Sequence, residues 1–230
     1  MATQAQKTVH LRGRLIDYWI MIIAVIAGAG CNSNTNDSEQ ISELPYYNTA
    51  DFTALWKKEQ HFNADTIHTI APFSFTDQNG IIVNNKMLEG KVYVVNFFFT
   101  ACTGICPKMT NNMKIAADSF KNNSNVAFLS HSVTPEKDSV QILKKYAALH
   151  GIDHQQWHLL TGDPAMINNI ARHSYFIEKN PGLSRDSTEF LHTENMVLID
   201  RKGHIRGLYK GTLEVDAMRL IEDINILLKE

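Results

Sequence analysis

Residues 92–109 read VYVVNFFFTACTGICPKM. Val92 to Phe99 is a near-continuous apolar run, the pattern of a strand covered on both faces. It stops abruptly at Thr100. Cys102 and Cys106 follow with three residues between them, and Pro107 comes next. Met109, Met113, Ala116, Ala117 and Phe120 then recur at helical spacing. Those methionines read as core packing rather than a metal-binding box. A buried strand that runs into a thiol pair at a helix start is a place for chemistry.

Working outward, the flanks supply a domain to hold that junction. Residues 70–75 and 81–83 read as a hairpin around Asp77-Gln78-Asn79-Gly80, since Asn-Gly favours positive φ. Residues 126–130 read as a strand. Thr134-Pro135-Glu136 reads as a helix start, with a capping hydroxyl, a proline and an acid. That helix would bury Val140, Leu143 and Ala147 and stop at Gly151. Trp157 to Leu160 is a third strand, and Asp163-Pro164 starts another helix with Ile167, Ile170 and Ala171 inward. Residues 178–191 form a long irregular segment ending at His192, and loops of that length are often functional. A strand at 196–200, a turn at 201–203, a strand at 204–209 and a closing helix complete the chain. The expected fold is α/β and thioredoxin-like. A central mixed sheet is flanked by helices, with an extra N-terminal hairpin and an inserted loop before His192.

The 230 residues allow one such domain plus a tail. A formal charge of −2 offers no general attraction to nucleic acid, so no nucleic-acid partner is expected. Residues 1–30 contain Lys7, Arg12 and Arg14, an apolar run from Tyr18, and small residues before Cys31. These are the parts of an export signal. The run is shorter than the ~20 residues that span a bilayer comfortably. Either Cys31 is lipidated after cleavage, or the segment stays as a single-helix membrane anchor. Both place the rest of the chain outside the cytoplasm, in the periplasm, where disulfides form readily. Residues 31–64 read as a tether and lead-in, and the domain proper as 65–230.

Thiols four residues apart on helical backbone share a face. A cysteine at a helix mouth is biased towards thiolate by backbone N–H groups and the helix dipole. Cys102 and Cys106 can therefore close as a disulfide or present two soft anionic ligands. Two thiolates with an imidazole suit copper, Cu(I) or Cu(II), better than a hard cation. His192 is the candidate third ligand, and His131, at the end of the second strand, competes with it. With ten histidines in the chain, histidine alone is weak evidence of a site. No proline follows Pro181, whereas thioredoxins proper carry a cis-proline before the hairpin strand.

The chain resembles the Sco/SenC family of membrane-anchored copper proteins that serve cytochrome c oxidase assembly. The resemblance rests on residues 75–80 (FTDQNG), 96–107 (NFFFTACTGICP), 132–138 (SVTPEKD), 157–162 (WHLLTG) and Leu191-His192-Thr193. It implies a thioredoxin-like fold and copper ligands at Cys102, Cys106 and His192. It also implies a partner in the copper-site subunit of a respiratory oxidase, with attachment to the membrane through the N-terminal anchor. Four positions at three places depart from the usual family pattern. Thr103-Gly104 stands where Pro-Asp is common, Leu191 replaces an Asp before the histidine, and Thr134 stands where Asp is usual.

Three functions fit these residues. One is a copper metallochaperone delivering to the oxidase's dinuclear copper site. The second is a thiol–disulfide reductase acting on a partner's copper-site cysteines through a redox-active Cys102–Cys106 pair. The third is a redox or copper sensor.

Overall fold

A computed structural model describes residues 43–59, 62–152, 155–177 and 193–230. The expected export signal, Cys31, the polar tether, the 178–191 loop and His192 lie outside the described residues. Among the described residues no helix is long and apolar enough to cross a membrane.

The strands are β1 (Tyr46–Tyr47), β2 (Ala54–Leu55), β3 (Ser74–Thr76), β4 (Ile82–Asn84), β5 (Val92–Phe98), β6 (Val126–Ser132), β7 (Trp157–Leu160), β8 (Asn195–Ile199) and β9 (Ile205–Lys210). The helices are α1 (Asn85–Leu88), α2 (Cys106–Ser119), α3 (Val140–Leu149), α4 (Pro164–His173) and α5 (Glu214–Lys229). Seven strands form one mixed sheet in the order β2-β1-β9-β8-β5-β6-β7. β5, β6 and β7 are parallel, and β8 and β9 return antiparallel on the other side of β5.

All seven residues of β5 are buried, because helices or a hairpin cover both sheet faces. Val92, Val94 and Phe98 pack with Met113, Ala116 and Ala117 of α2, Leu143 of α3, and Leu220 and Ile224 of α5. Tyr93, Val95 and Phe97 point the other way. They pack with Val83 of β4, Leu88 of α1 and Ile167, Ile170 and Ala171 of α4. Truncating such a core leucine or isoleucine to alanine costs about 2–5 kcal/mol. Parallel strands joined through helices, closed by an antiparallel pair and a last helix, make the fold thioredoxin-like.

The extra hairpin is present as β3–β4, paired from Ser74↔Asn84 to Thr76↔Ile82. Asp77 makes its turn by accepting the amides of Asn79 and Ile81, and Gly80 takes φ 77°. The hairpin is fastened to β7. The Gln78 side chain donates to Trp157 O and accepts from the Leu159 amide, and His158 Nδ1 lies 2.9 Å from Asp77 Oδ2.

Three local expectations differ from the structure. α3 begins at Val140, not at Thr134-Pro135-Glu136. Ser139 caps it by accepting the Ile142 amide, while the Thr134 hydroxyl is committed to Asp138. α2 begins at Cys106, so Cys102 stands ahead of the helix and the two thiols do not share a helical face. The lead-in up to residue 64 contributes β1 and β2 to the main sheet, with Tyr47 paired to Ile205. Buried Arg206 secures it by donating to the carbonyls of Leu44 and Pro45, its guanidinium 4.0 Å from the Tyr46 ring centroid.

Candidate metal centre

The two cysteines sit where β5 hands the chain to α2, at the C-terminal edge of the parallel strands. Cys106 is the first residue of α2 and is buried, while Cys102 is half-buried. Both thiols are free. A short turn places Cys102, whose amide donates to Phe99 O at 3.2 Å.

No side chain caps α2, and the residue before it, Ile105, cannot do so. The first amides of a helix lack intrahelical partners and need an acceptor. Cys102 stands just ahead of this open start, where the nearby backbone of Cys106, Gly104 and Ile105 favours its thiolate form. Burial alone would raise the Cys102 thiol. The Cys106 side chain and that backbone outweigh it and hold Cys102 below the ordinary thiol value. Cys106 goes the other way. Burial first, then the neighbouring Cys102 sulfur, push it up to about 12. The pair thus combines one thiol poised to ionise with one held protonated until a metal or an oxidant claims it.

Tyr146 of α3 stands close by. Its hydroxyl pairs with Thr110 Oγ1 at 2.8 Å, and its ring packs on Phe98 at 5.2 Å. Burial raises it to about 12, and the two cysteines add to the rise. Beside Cys102, Thr100 is held by Asp138, a carboxylate only 1% exposed. The Thr100 hydroxyl donates to Asp138 Oδ1 at 2.5 Å and its amide to Oδ2 at 3.2 Å. Sequence reading missed both Tyr146 and Asp138. Asp138 was visible only as the last residue of SVTPEKD, with no periodicity to flag it.

His131 does not compete for the site. It pairs in register with Phe97, so its side chain leaves the sheet on the face opposite Cys106. There it is fully buried among Phe73, Phe75, Phe97 and Tyr175, stacked on Phe97 at 5.1 Å. Neither ring nitrogen has a hydrogen-bond partner among the described residues. Burial lowers its pKa to about 3. His158 and His204 are also buried, against Asp77 and Asp200.

Among the described residues no three His, Cys, Asp or Glu side chains gather to hold a metal. The described part of the centre is therefore the thiol pair, a donor set that fits a soft ion. β8 runs antiparallel to β5, with Met196 opposite Asn96. The chain thus enters β8 at the sheet end that carries the cysteines, and Thr193 is the first described residue there.

The SCO1/SenC family model matches residues 62–229. A SCO1 protein homolog of Bacillus subtilis is 31% identical over 160 residues, covering 68% of this chain and 81% of that protein. BsSco is described as a member of the Sco family of cytochrome c oxidase assembly proteins with a disulfide switch. Its structure superposes with a TM-score of 0.59 at 29% identity, covering 72% of this chain and 96% of that one. Arabidopsis thaliana ScoI, crystallised with copper bound, matches with a TM-score of 0.54 at 27% identity, covering 70% and 98%. With its thiol pair at the β5–α2 junction and this match across most of its length, the chain belongs to the SCO1/SenC family.

Proposed function

We propose that this protein is an extracytoplasmic copper-binding assembly factor. It holds copper on Cys102, Cys106 and His192 and delivers it to the dinuclear copper site of a cytochrome c oxidase subunit. The observation that carries the reading is the pair of free thiols at an uncapped helix start, Cys106 on its first residue and Cys102 just ahead of it. Two thiolates with an imidazole favour copper over hard cations, and the copper-bound Arabidopsis relative supports the choice of metal. Transfer proceeds by ligand exchange, acceptor thiolates replacing Cys102 and Cys106 one at a time. Protons compete for thiolate and imidazole, so affinity falls with pH. Closing the disulfide removes both sulfur ligands. The basic, apolar and small-residue segments before Cys31 support attachment to the membrane with the domain in the periplasm, by a lipid on Cys31.

The test is copper bound by the reduced full chain. One ion per chain is expected, lost in Cys106→Ser and weakened in His192→Ala; undiminished stoichiometry in Cys106→Ser defeats the reading. For the anchor, labelled fatty acid should enter the wild-type chain and not Cys31→Ser.

A second reading is favoured by the unequal thiols. A low Cys102 and a high Cys106 are the roles of an attacking and a resolving cysteine in disulfide exchange. As a reductase of a partner's copper-site cysteines, the protein would keep its activity in His192→Ala. As a copper carrier, it would lose its metal.

A further inference from the structure

Asp138 is buried, yet all its partners among the described residues are neutral donors. Oδ2 accepts from the Ser132 hydroxyl at 2.6 Å, the Thr134 hydroxyl at 3.1 Å and the Thr100 amide at 3.2 Å. Oδ1 accepts from the Thr100 hydroxyl at 2.5 Å. Its own amide donates to Thr134 O at 2.9 Å, which closes the loop that carries it. Three of these groups belong to the segment from the end of β6 to α3. The other two belong to Thr100, at the exit of β5. Thr100 lies inside the turn closed by the Cys102 amide on Phe99 O. Beside it, the Val133 amide donates to Phe98 O at 2.9 Å, so the ends of β5 and β6 are tied twice.

A buried carboxylate is costly unless its oxygens are satisfied, and bonds to a charged acceptor are about twice as strong as neutral ones. Cys106 is fixed by its place in α2. Cys102 has no regular element to fix it, and its turn is anchored through Thr100. We propose that Asp138 is a positioning residue that, through Thr100, sets where Cys102 stands relative to Cys106. It thereby sets both the metal affinity and the dithiol–disulfide balance of the pair. The metal part rests on the copper reading above; the redox part needs only the two cysteines.

The experiment uses the reduced full chain and four variants. Thr100→Val removes one hydroxyl at constant shape, and Asp138→Ala removes the whole acceptor. Asp138→Asn can keep every contact if the Thr100 hydroxyl turns round to accept. Asp77→Ala deletes a second buried carboxylate, which braces the β3–β4 hairpin and touches no part of the cysteine turn. Cu(I) affinity is read by competition with a chelator. The redox balance is read against dithiothreitol. Cys102 and Cys106 give up two protons and two electrons to oxidised dithiothreitol, which is reduced to its dithiol as the protein disulfide forms.

Thr100→Val and Asp138→Ala should each weaken Cu(I) by about 10–100-fold, the range for groups that orient a metal's ligands. They should also shift the dithiothreitol equilibrium by about tenfold, or about 30 mV. Asp138→Asn should recover most of both losses, and Asp77→Ala should lower thermal stability with both readouts unmoved. If Thr100→Val and Asp138→Ala lower only thermal stability, as Asp77→Ala does, the proposal is overturned. If Asp138→Ala does not fold, Thr100→Val decides in the same terms. If the wild type takes up no copper, the copper reading fails. The dithiothreitol equilibrium then judges the positioning role alone, a tenfold shift upholding it and none overturning it.

Discussion

Two faces of one sheet enclose titratable groups and treat them in opposite ways. On the α2 face, the neighbouring Cys106 thiol and the nearby backbone outweigh the partial burial of Cys102 and favour its ionisation. On the hairpin face, His131 packs on Phe73, Phe75, Phe97 and Tyr175 with neither ring nitrogen hydrogen-bonded among the described residues, so burial acts unopposed and the ring stays neutral. The strands are the same two, β5 and β6. What differs is whether a helix terminus opens onto the group. Burial alone makes an inert residue; partial burial beside backbone amides and a second thiol makes a reactive one.

The sharpest break of this comparison is Cys106→Ser. It should abolish stoichiometric Cu(I) binding in a chelator competition while thermal unfolding shows an intact hairpin-face core. Binding retained at one ion per chain would mean that the α2 face is no more specialised than the other.

The hairpin face is tested next, through acid. An unfolded histidine takes up a proton near 6.5, whereas folded His131 resists until about 3. Its neutral form therefore stabilises the fold fully above 6.5, and that contribution is lost as pH falls from 6.5 towards 3. A single proton gives a slope of up to about 1.4 kcal/mol per pH unit in that window. His131→Leu, similar in volume, should flatten the slope in urea unfolding followed from pH 7 to 4. An unchanged slope would mean that the acid sensitivity resides in other groups.

A smaller effect is expected where the hairpin meets β7. A Cβ on Gly162 would stand 2.6 Å from the Phe75 ring, beside the aromatic group around His131. Gly162→Ala should cost about 1–3 kcal/mol of stability by overpacking, with copper affinity unmoved. Smallest of all, Lys114→Ala removes a surface pair with Asp118 on the outside of α2, 3.0 Å in length. It should change stability by no more than about 0.5 kcal/mol, measured as a shift in denaturant midpoint.

Elements with local signals were legible in the residues themselves. Trp157–Leu160 is a strand at the expected bounds and the helix Pro164–His173 has the expected start, because an apolar run and an Asp-Pro cap act over a few residues. The thiol pair at a strand-to-helix junction was legible for the same reason. The start of α3 was not. Thr134-Pro135-Glu136 carries every helix-start signal, yet the Thr134 hydroxyl bonds to Asp138, and Asp138 holds Thr100, in the turn after β5 and thirty-eight residues earlier in sequence. The side taken by His131 was illegible too. Every residue of β6 is buried, so hydrophobic alternation vanishes and composition cannot say which face a residue joins.

The sequence by itself determined that a thioredoxin-like sheet would present Cys102 and Cys106 where the long buried strand β5 gives way to a helix. Periodicity, proline placement and thiol spacing are local properties. Only the tertiary structure decided that Cys102 stands outside α2, just ahead of its open start, that His131 is sealed on the far face, and that Asp138 anchors the turn before the cysteines. Each depends on groups distant in sequence, brought together because the buried polar atoms at the ends of β5 and β6 must find partners once water is excluded.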